Sequence, residues 1–161
     1  MADGVEVKLD GLDSLLGKLD AISDDLRRKS GRSALRKAGN IIVNQIKNNA
    51  SRLDDPHTAR NISDNAALRW NGKVFKLTGD LGFRIGILHG AVLKKHPSMS
   101  KDAPTPHWRL LEFGTEKMAA RPLVRAAANS RLTEVFNSFA VNYEAGIDRA
   151  IKRAQKKGVP P

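Results

Sequence analysis

The sequence predicts an α+β fold in which a small, mostly antiparallel sheet of four or five strands packs against two long helices, with an extended loop. Residues 23–50 and 122–157 place apolar side chains at intervals of three and four, as amphipathic helices do. Several short segments instead alternate apolar and polar residues, as half-buried strands do. The 161 residues suit one domain, so we expect a single core across residues 1–161.

The first predicted elements are a strand and two helices. Residues 5–9 alternate apolar and polar side chains and predict a strand, and leucines at helical spacing predict a helix over residues 12–22. The second helix, residues 23–50, opens with a serine cap and two aspartates that complement the helix dipole. It contains Gly31 and Gly39, which indicate either close packing or a kink.

The middle of the chain predicts short strands between two loops. Residues 51–66 are polar and interrupted by proline, which indicates a loop. Residues 67–77 contain Asn71-Gly72, a strong hairpin signal, and therefore predict two short strands. Residues 81–87 alternate apolar side chains with glycine and arginine and predict another strand. Residues 89–106 are polar with three prolines, so this second loop is either a functional arm or a mobile surface loop.

The last third of the chain predicts a strand, a turn and a long helix. Residues 107–113 are bulky and apolar, with an alternating pattern that predicts a strand ending at Gly114. Pro122 suits a helix start, since its missing N–H would have no partner there. A helix to about residue 157 is long for one small core, so part of its apolar face is expected to meet another subunit, and Gly146 is a candidate break. Residues 158–161 form a tail.

The chain is strongly basic, with a formal net charge of +11 and a pI near 10.3. Such a charge attracts polyanions, of which nucleic acid is the commonest. Arg28, Arg32 and Arg36 recur every four residues and predict one basic helix face. That face is either simply solvated or contacts the phosphate backbone of DNA without reading its sequence.

The residues that usually build active sites are missing or scattered. The chain has no cysteine, which excludes disulfides, thiolate metal sites and cysteine nucleophiles. No metal, phosphate-loop or nucleophile motif occurs, and the four histidines fall in or beside predicted loops at His57, His89, His96 and His107. We therefore expect no enzyme activity, no catalytic residues, no metal and no cofactor. The N-terminus is unlike a signal peptide and no apolar run is long enough to span a membrane, so we expect a soluble protein.

One motif in the last third consists of Glu112, Phe113, Gly114, Thr115, Met118, Arg121, Pro122 and Arg125. It resembles the signature of the tail completion proteins of tailed bacteriophages, also called head-to-tail joining or neck proteins. A second similarity lies at residues 5–12, the opening strand and start of the first helix, whereas residues 51–106 match the family poorly. The chain has Leu123 where the family usually has a bulky aromatic, and Ala126 where it has a second proline.

The resemblance implies a structural virion protein. It implies a ring, by analogy a hexamer, at the junction between the DNA-filled head and the tail, assembled in the host cytoplasm. The implied partners are further copies of the chain, the tail terminator, tail tube or head-joining proteins, and DNA that passes through the ring without sequence specificity. The excess positive charge makes Arg28, Arg32 and Arg36 the candidates for facing that DNA. The alternatives are a free-standing sequence-independent nucleic-acid-binding protein and an enzyme acting on an anionic polymer.

The signature itself is expected to be mainly architectural. Gly114 is expected to supply a backbone conformation that other residues adopt only at a cost, and Met118 to fill a core or an interface. Glu112 and Arg121 either form an ion pair, or set a subunit contact, or Glu112 accepts hydrogen bonds from the turn that follows it.

Overall fold

The computed structural model describes residues 24–54, 61–88 and 105–156. The strand predicted at 5–9, the helix at 12–22 and the tail at 158–161 lie outside the described residues. So do most of the 89–106 loop and the central part of the 51–66 loop.

The described residues form an α+β fold, which confirms the predicted class. Two long helices pack together, and two strands form a small antiparallel sheet. The described part of the sheet has two strands where four or five were predicted. In chain order the elements are α1 (Asp24–Ser51), a 3₁₀-helix (Ser63–Asn65), β1 (Ala66–Trp70), α2 (Gly72–Thr78), β2 (Phe83–Ile87), α3 (Trp108–Phe113) and α4 (Val124–Lys156).

Both long helices form where the sequence predicts them. α1 begins and ends one residue after the predicted bounds, and α4 begins two residues after Pro122. Gly146 does not break α4. A Cβ atom at Gly146 would lie only 3.1 Å from the Cβ atom of Ser30, and one at Gly31 would lie 3.6 Å from the Tyr143 ring. These glycines therefore allow the two helices to approach closely.

The predicted hairpin at Asn71-Gly72 is wrong. β1 ends at Trp70, as the pattern indicated, but Gly72–Thr78 is helix α2 instead of a second strand. Asn71 has φ −90° and ψ 71°, so it does not take the positive φ that a type I′ turn needs. Its N–H donates to the carbonyl of Gly82 at 2.9 Å. A helix-containing connection, and not a tight turn, therefore joins β1 to β2.

The strand predicted at 107–113 is also wrong, because this segment is helix α3. Trp108 and Leu111, three residues apart, pack against the core, whereas Leu110 and Phe113 are exposed. In six residues an alternating pattern and a three-residue spacing are hard to distinguish.

The chain divides into two compact units. One consists of Gly39–Trp70 and Arg84–Leu132 and contains the larger apolar core. That core is formed by fully buried Ile46, Ala50, Ile62, Leu123 and Ala127, with Val43, Ala66 and Ile87 around them. A Cβ atom at Gly39 would overlap the side chain of Leu68, so this glycine allows α1 to lie against β1.

The other unit consists of the described parts of Met1–Ala38, Asn71–Phe83 and Thr133–Pro161. Its core is small, with buried Ile147 packed against Leu26, Tyr143 and Ile151. None of the helices in the described ranges combines the length and apolarity needed to span a membrane.

Candidate functional site

The predicted signature residues meet where α3 ends and α4 begins. α3 supplies Glu112 and Phe113, and the turn after it contains Gly114. Arg125 comes from the first turn of α4. We call this region the α3–α4 joint, meaning residues 108–125. Its centre is a buried carboxylate that links two helices.

The carboxylate of Glu112 caps α4 from outside the helix. The residue is 2% exposed. Its Oε2 accepts hydrogen bonds from the backbone N–H groups of Leu123 (2.6 Å) and Val124 (2.9 Å), and its Oε1 accepts one from that of Arg125 (3.1 Å). The first N–H groups of a helix have no partner within it. Glu112 satisfies three of them and places a negative charge at the positive end of the helix dipole.

Arg125 completes the joint. Its Nε donates to Glu112 Oε1 at 3.1 Å, and its Nη2 donates to the backbone carbonyl of Glu112 at 2.6 Å. Its guanidinium lies 5.3 Å from the centre of the Phe113 ring. The ion-pair partner of Glu112 is thus Arg125, and not Arg121 as one alternative held. Arg121 contributes its backbone N–H, which donates to the carbonyl of Leu111 at 2.7 Å.

Burial and hydrogen bonding act in opposite directions on the pKa of Glu112. Desolvation raises this pKa, whereas hydrogen bonds from the backbone of Val124, Arg125 and Leu123 and from the Arg125 side chain lower it. The net result is a pKa below the ordinary value of 4.5. The carboxylate is therefore ionised at neutral pH, with its acceptor positions occupied by α4. This arrangement suits a structural role better than proton exchange with a substrate.

The turn between the helices depends on Gly114. This residue has φ 76° and ψ −179°, a conformation that is essentially restricted to glycine. A Cβ atom here would lie 2.9 Å from both the nitrogen of Ala120 and the carbonyl oxygen of Met118. Thr115 and Met118 then form a small antiparallel bridge, in which the nitrogen-to-oxygen distances of the two hydrogen bonds are 2.9 and 3.2 Å. The predicted special backbone conformation at Gly114 is present.

The predicted basic residues lie on α1, away from the joint in sequence. Arg28, Arg32 and Arg36 are all exposed, as expected for one helix face. The Arg36 guanidinium lies 5.8 Å from the centre of the Phe83 ring. These three side chains remain the candidates for contact with an anionic partner.

The possible metal ligands in the part of the chain that the structure describes do not form a cluster of three. No three His, Cys, Asp or Glu residues within residues 24–54, 61–88 and 105–156 lie close enough to hold a metal ion. His107 precedes α3 and is exposed, whereas His57, His89 and His96 lie outside the described residues.

Two polar residues, Asn65 and Asp54, stabilise the chain around the loops. Asn65 is buried, donates from Nδ2 to the hydroxyl of buried Thr105 at 3.0 Å, and accepts from the N–H of Leu88 at 2.8 Å through its backbone carbonyl. Asp54 accepts hydrogen bonds from the N–H groups of Ile62 (2.7 Å) and Ser63 (3.1 Å). Both contacts join residues distant in sequence, so no local motif indicated them.

Comparison with known proteins supplies the family. Residues 13–114 match the family model described as "Bacteriophage HK97-gp10, putative tail-component". The match includes residues 51–106, where the resemblance seen in the sequence is poor, and ends at Gly114, within the signature. No curated protein and no solved structure shows significant similarity to the chain. The matched range is more than half of the 161 residues and confirms the resemblance to phage tail and head-to-tail joining proteins. The chain therefore belongs to the HK97 gp10-like family of bacteriophage tail components.

Proposed function

We propose that this tail component forms a ring at the junction between head and tail, where it completes the tail and helps to join it to the DNA-filled head. The observation that carries the proposal is the family match over residues 13–114. The proposed ring consists of copies of this chain, with a hexamer as the expected size. Its neighbours are tail terminator, tail tube or head-joining proteins, and its place is the neck of the virion after assembly in the host cytoplasm.

The α3–α4 joint supports a structural role in such a ring. A subunit of a closed ring must present its contact surfaces at a constant angle, because small angular errors accumulate around the ring. Glu112 fixes the start of α4 with three backbone hydrogen bonds, and Arg125 holds both the side chain and the backbone of Glu112. We propose that the joint has this architectural role and that the protein is not an enzyme.

The excess positive charge has a use in a ring through which DNA passes. Arginines on an inner wall can balance phosphate charge without reading bases, so DNA is not held at one position. Arg28, Arg32 and Arg36 are exposed on one helix face and suit this role.

The ring can be tested directly by native mass spectrometry and electron microscopy of the purified protein and of assembled tails. We expect one closed oligomer of defined size at the head-proximal end of the tail. A protein absent from tails, or present there without forming a ring, contradicts the proposal.

The role of the arginines is tested by two matched triple variants. Replacing Arg28, Arg32 and Arg36 by glutamate should leave the circular dichroism spectrum unchanged, because all three are exposed, but should reduce the yield of infectious particles. Replacing the same residues by lysine keeps the charge and should preserve the yield. A normal yield with the glutamate variant means that this face is merely solvated.

The net charge of +11 also favours a second candidate, a free-standing protein that binds nucleic acid without sequence specificity. DNA binding that weakens steeply with salt, by a small oligomer that never joins tails or forms rings, would support it over the neck protein.

A further inference from the structure

Two apolar side chains of the α3–α4 joint face solvent. Leu110 is 52% exposed and Phe113 is 67% exposed. They lie three residues apart on α3 and therefore on the same side of that helix, whereas Trp108 and Leu111 pack against the core. An exposed aromatic residue next to an exposed leucine is the kind of anchor that protein interfaces bury.

The charges around these two side chains are mostly positive. Arg109 neighbours Leu110 along the helix, and its guanidinium lies 5.8 Å from the centre of the Trp108 ring. Arg125 lies 5.3 Å from the centre of the Phe113 ring. The carboxylate next to Phe113 in sequence, that of Glu112, is buried and engaged with α4 and with Arg125. We call this surface, formed by Leu110 and Phe113 with Arg109 and Arg125, the α3 patch.

A surface of opposite character lies on α4. Val141 is 67% exposed, and Glu134 and Asp148 stand seven residues before and after it. Seven residues are close to two helical turns, so these three side chains follow one line along the helix. Glu144 lies one turn from Val141. We call Glu134, Val141, Glu144 and Asp148 the α4 stripe. Its three acids also interact within their own chain, so they contribute orientation more than affinity.

We propose that the α3 patch of one copy of this chain docks on the α4 stripe of a neighbouring copy. This inference rests on the ring of the proposed function and names the contact that builds it. A patch facing its own copy would bring arginines against arginines, whereas a patch facing the stripe pairs opposite charges around an apolar centre. A contact between two different surfaces is the kind that closes into a ring when repeated.

The absence of native cysteine makes the contact testable by cross-linking. Leu110→Cys at the patch and Ala145→Cys, an exposed position one turn after Val141, leave Phe113 and Val141 in place. The two single variants are mixed, allowed to assemble and treated with a short bis-maleimide. We expect a cross-linked dimer in the mixture and only background product from either variant alone. Leu77→Cys, 86% exposed on α2, replaces Ala145→Cys in the control mixture and should give background product.

A second variant measures the apolar anchor. Phe113→Ser should weaken association by about tenfold or more, as measured by analytical ultracentrifugation, because a central aromatic side chain is lost. The matched exposed change Leu77→Ser should leave association unchanged.

The outcomes separate this contact from the ring itself. Wild-type rings without a cross-link above the control, and without an effect of Phe113→Ser, overturn the contact and leave the ring standing. Cross-linking of Leu110→Cys with itself overturns the pairing of patch with stripe. A wild-type protein that stays monomeric at every concentration and on tails overturns both proposals.

Discussion

Replacing Glu112 by alanine should destabilise the protein by about 3 kcal/mol, as measured by urea denaturation at neutral pH. The side chain accepts hydrogen bonds from three backbone N–H groups of α4. The N–H of buried Leu123 would lose its partner out of reach of water, at a cost of about 1–3 kcal/mol. The other two N–H groups are more accessible, so losing their cap costs about 0.5–1 kcal/mol each. The exposed Arg125 side chain adds little.

Lowering the pH should show how much the charge of Glu112 contributes to the free energy of unfolding. A pKa lowered by folding gives stability that is fully present above the unfolded pKa and is lost as the pH falls through the folded pKa. Glu112→Gln keeps the shape of the side chain but removes its charge, so the variant has no such pH-dependent contribution to stability. The stability difference between wild type and Glu112→Gln should therefore narrow as the pH falls from about 5 to about 3.

The exposed neighbour Glu116 provides the control, and Glu116→Ala should change stability by less than about 0.5 kcal/mol. A loss below about 1 kcal/mol for Glu112→Ala would refute the assignment of Glu112 as the cap of α4. An unchanged difference between wild type and Glu112→Gln across the acid range would refute the role of its charge.

Two further predictions concern the turn and the loop, both read by thermal or urea denaturation. Gly114→Ala should cost about 2–4 kcal/mol, because its φ is 76° and the new Cβ would crowd the backbone of residues 118–120. The control Gly86→Ala meets nothing within 4 Å and should cost less than about 1 kcal/mol; equal effects would contradict the role of the turn. Asp54→Ala should cost about 1–2 kcal/mol through loss of its two backbone hydrogen bonds, with Asp64→Ala, at an exposed position, as the nearly neutral control. Similar losses for both aspartates would show that Asp54 has no special contact.

The long helices were predictable because their patterns repeat over many turns. α4 has 33 residues, so the spacing of its apolar side chains outweighs the single interruption at Gly146. The short elements were not predictable in this way. Six residues in α3 and seven in α2 are too few to separate the two periods. For α2 a usable signal was present, since Gly79, with φ 77°, ends the helix as a C-cap glycine often does.

Of the alternatives that the sequence left open for Glu112, backbone hydrogen bonds from the residues that follow it are present, whereas an ion pair with Arg121 is not. The signature pointed to residues 112–125, and the positive φ of Gly114 follows from the preference of glycine for such turns. Which arginine faces Glu112 depends on the direction in which α4 leaves the turn. Arg125 lies in the first turn of that helix and Arg121 lies before it, so only the folded chain distinguishes them.

The hydrogen bonds of Asn65 have a consequence for changes in the length of the chain between Leu88 and Thr105. One residue holds both flanks of the segment between Leu88 and Thr105, through its carbonyl and its side-chain amide. The chain thus leaves and rejoins the fold at a common anchor. The hydrogen bonds of that anchor do not depend on the length or composition of what lies between. Doubling the length of such a connection costs only about 0.6 kcal/mol in closure entropy. We therefore expect both hydrogen bonds of Asn65 to survive a change in the length of this segment.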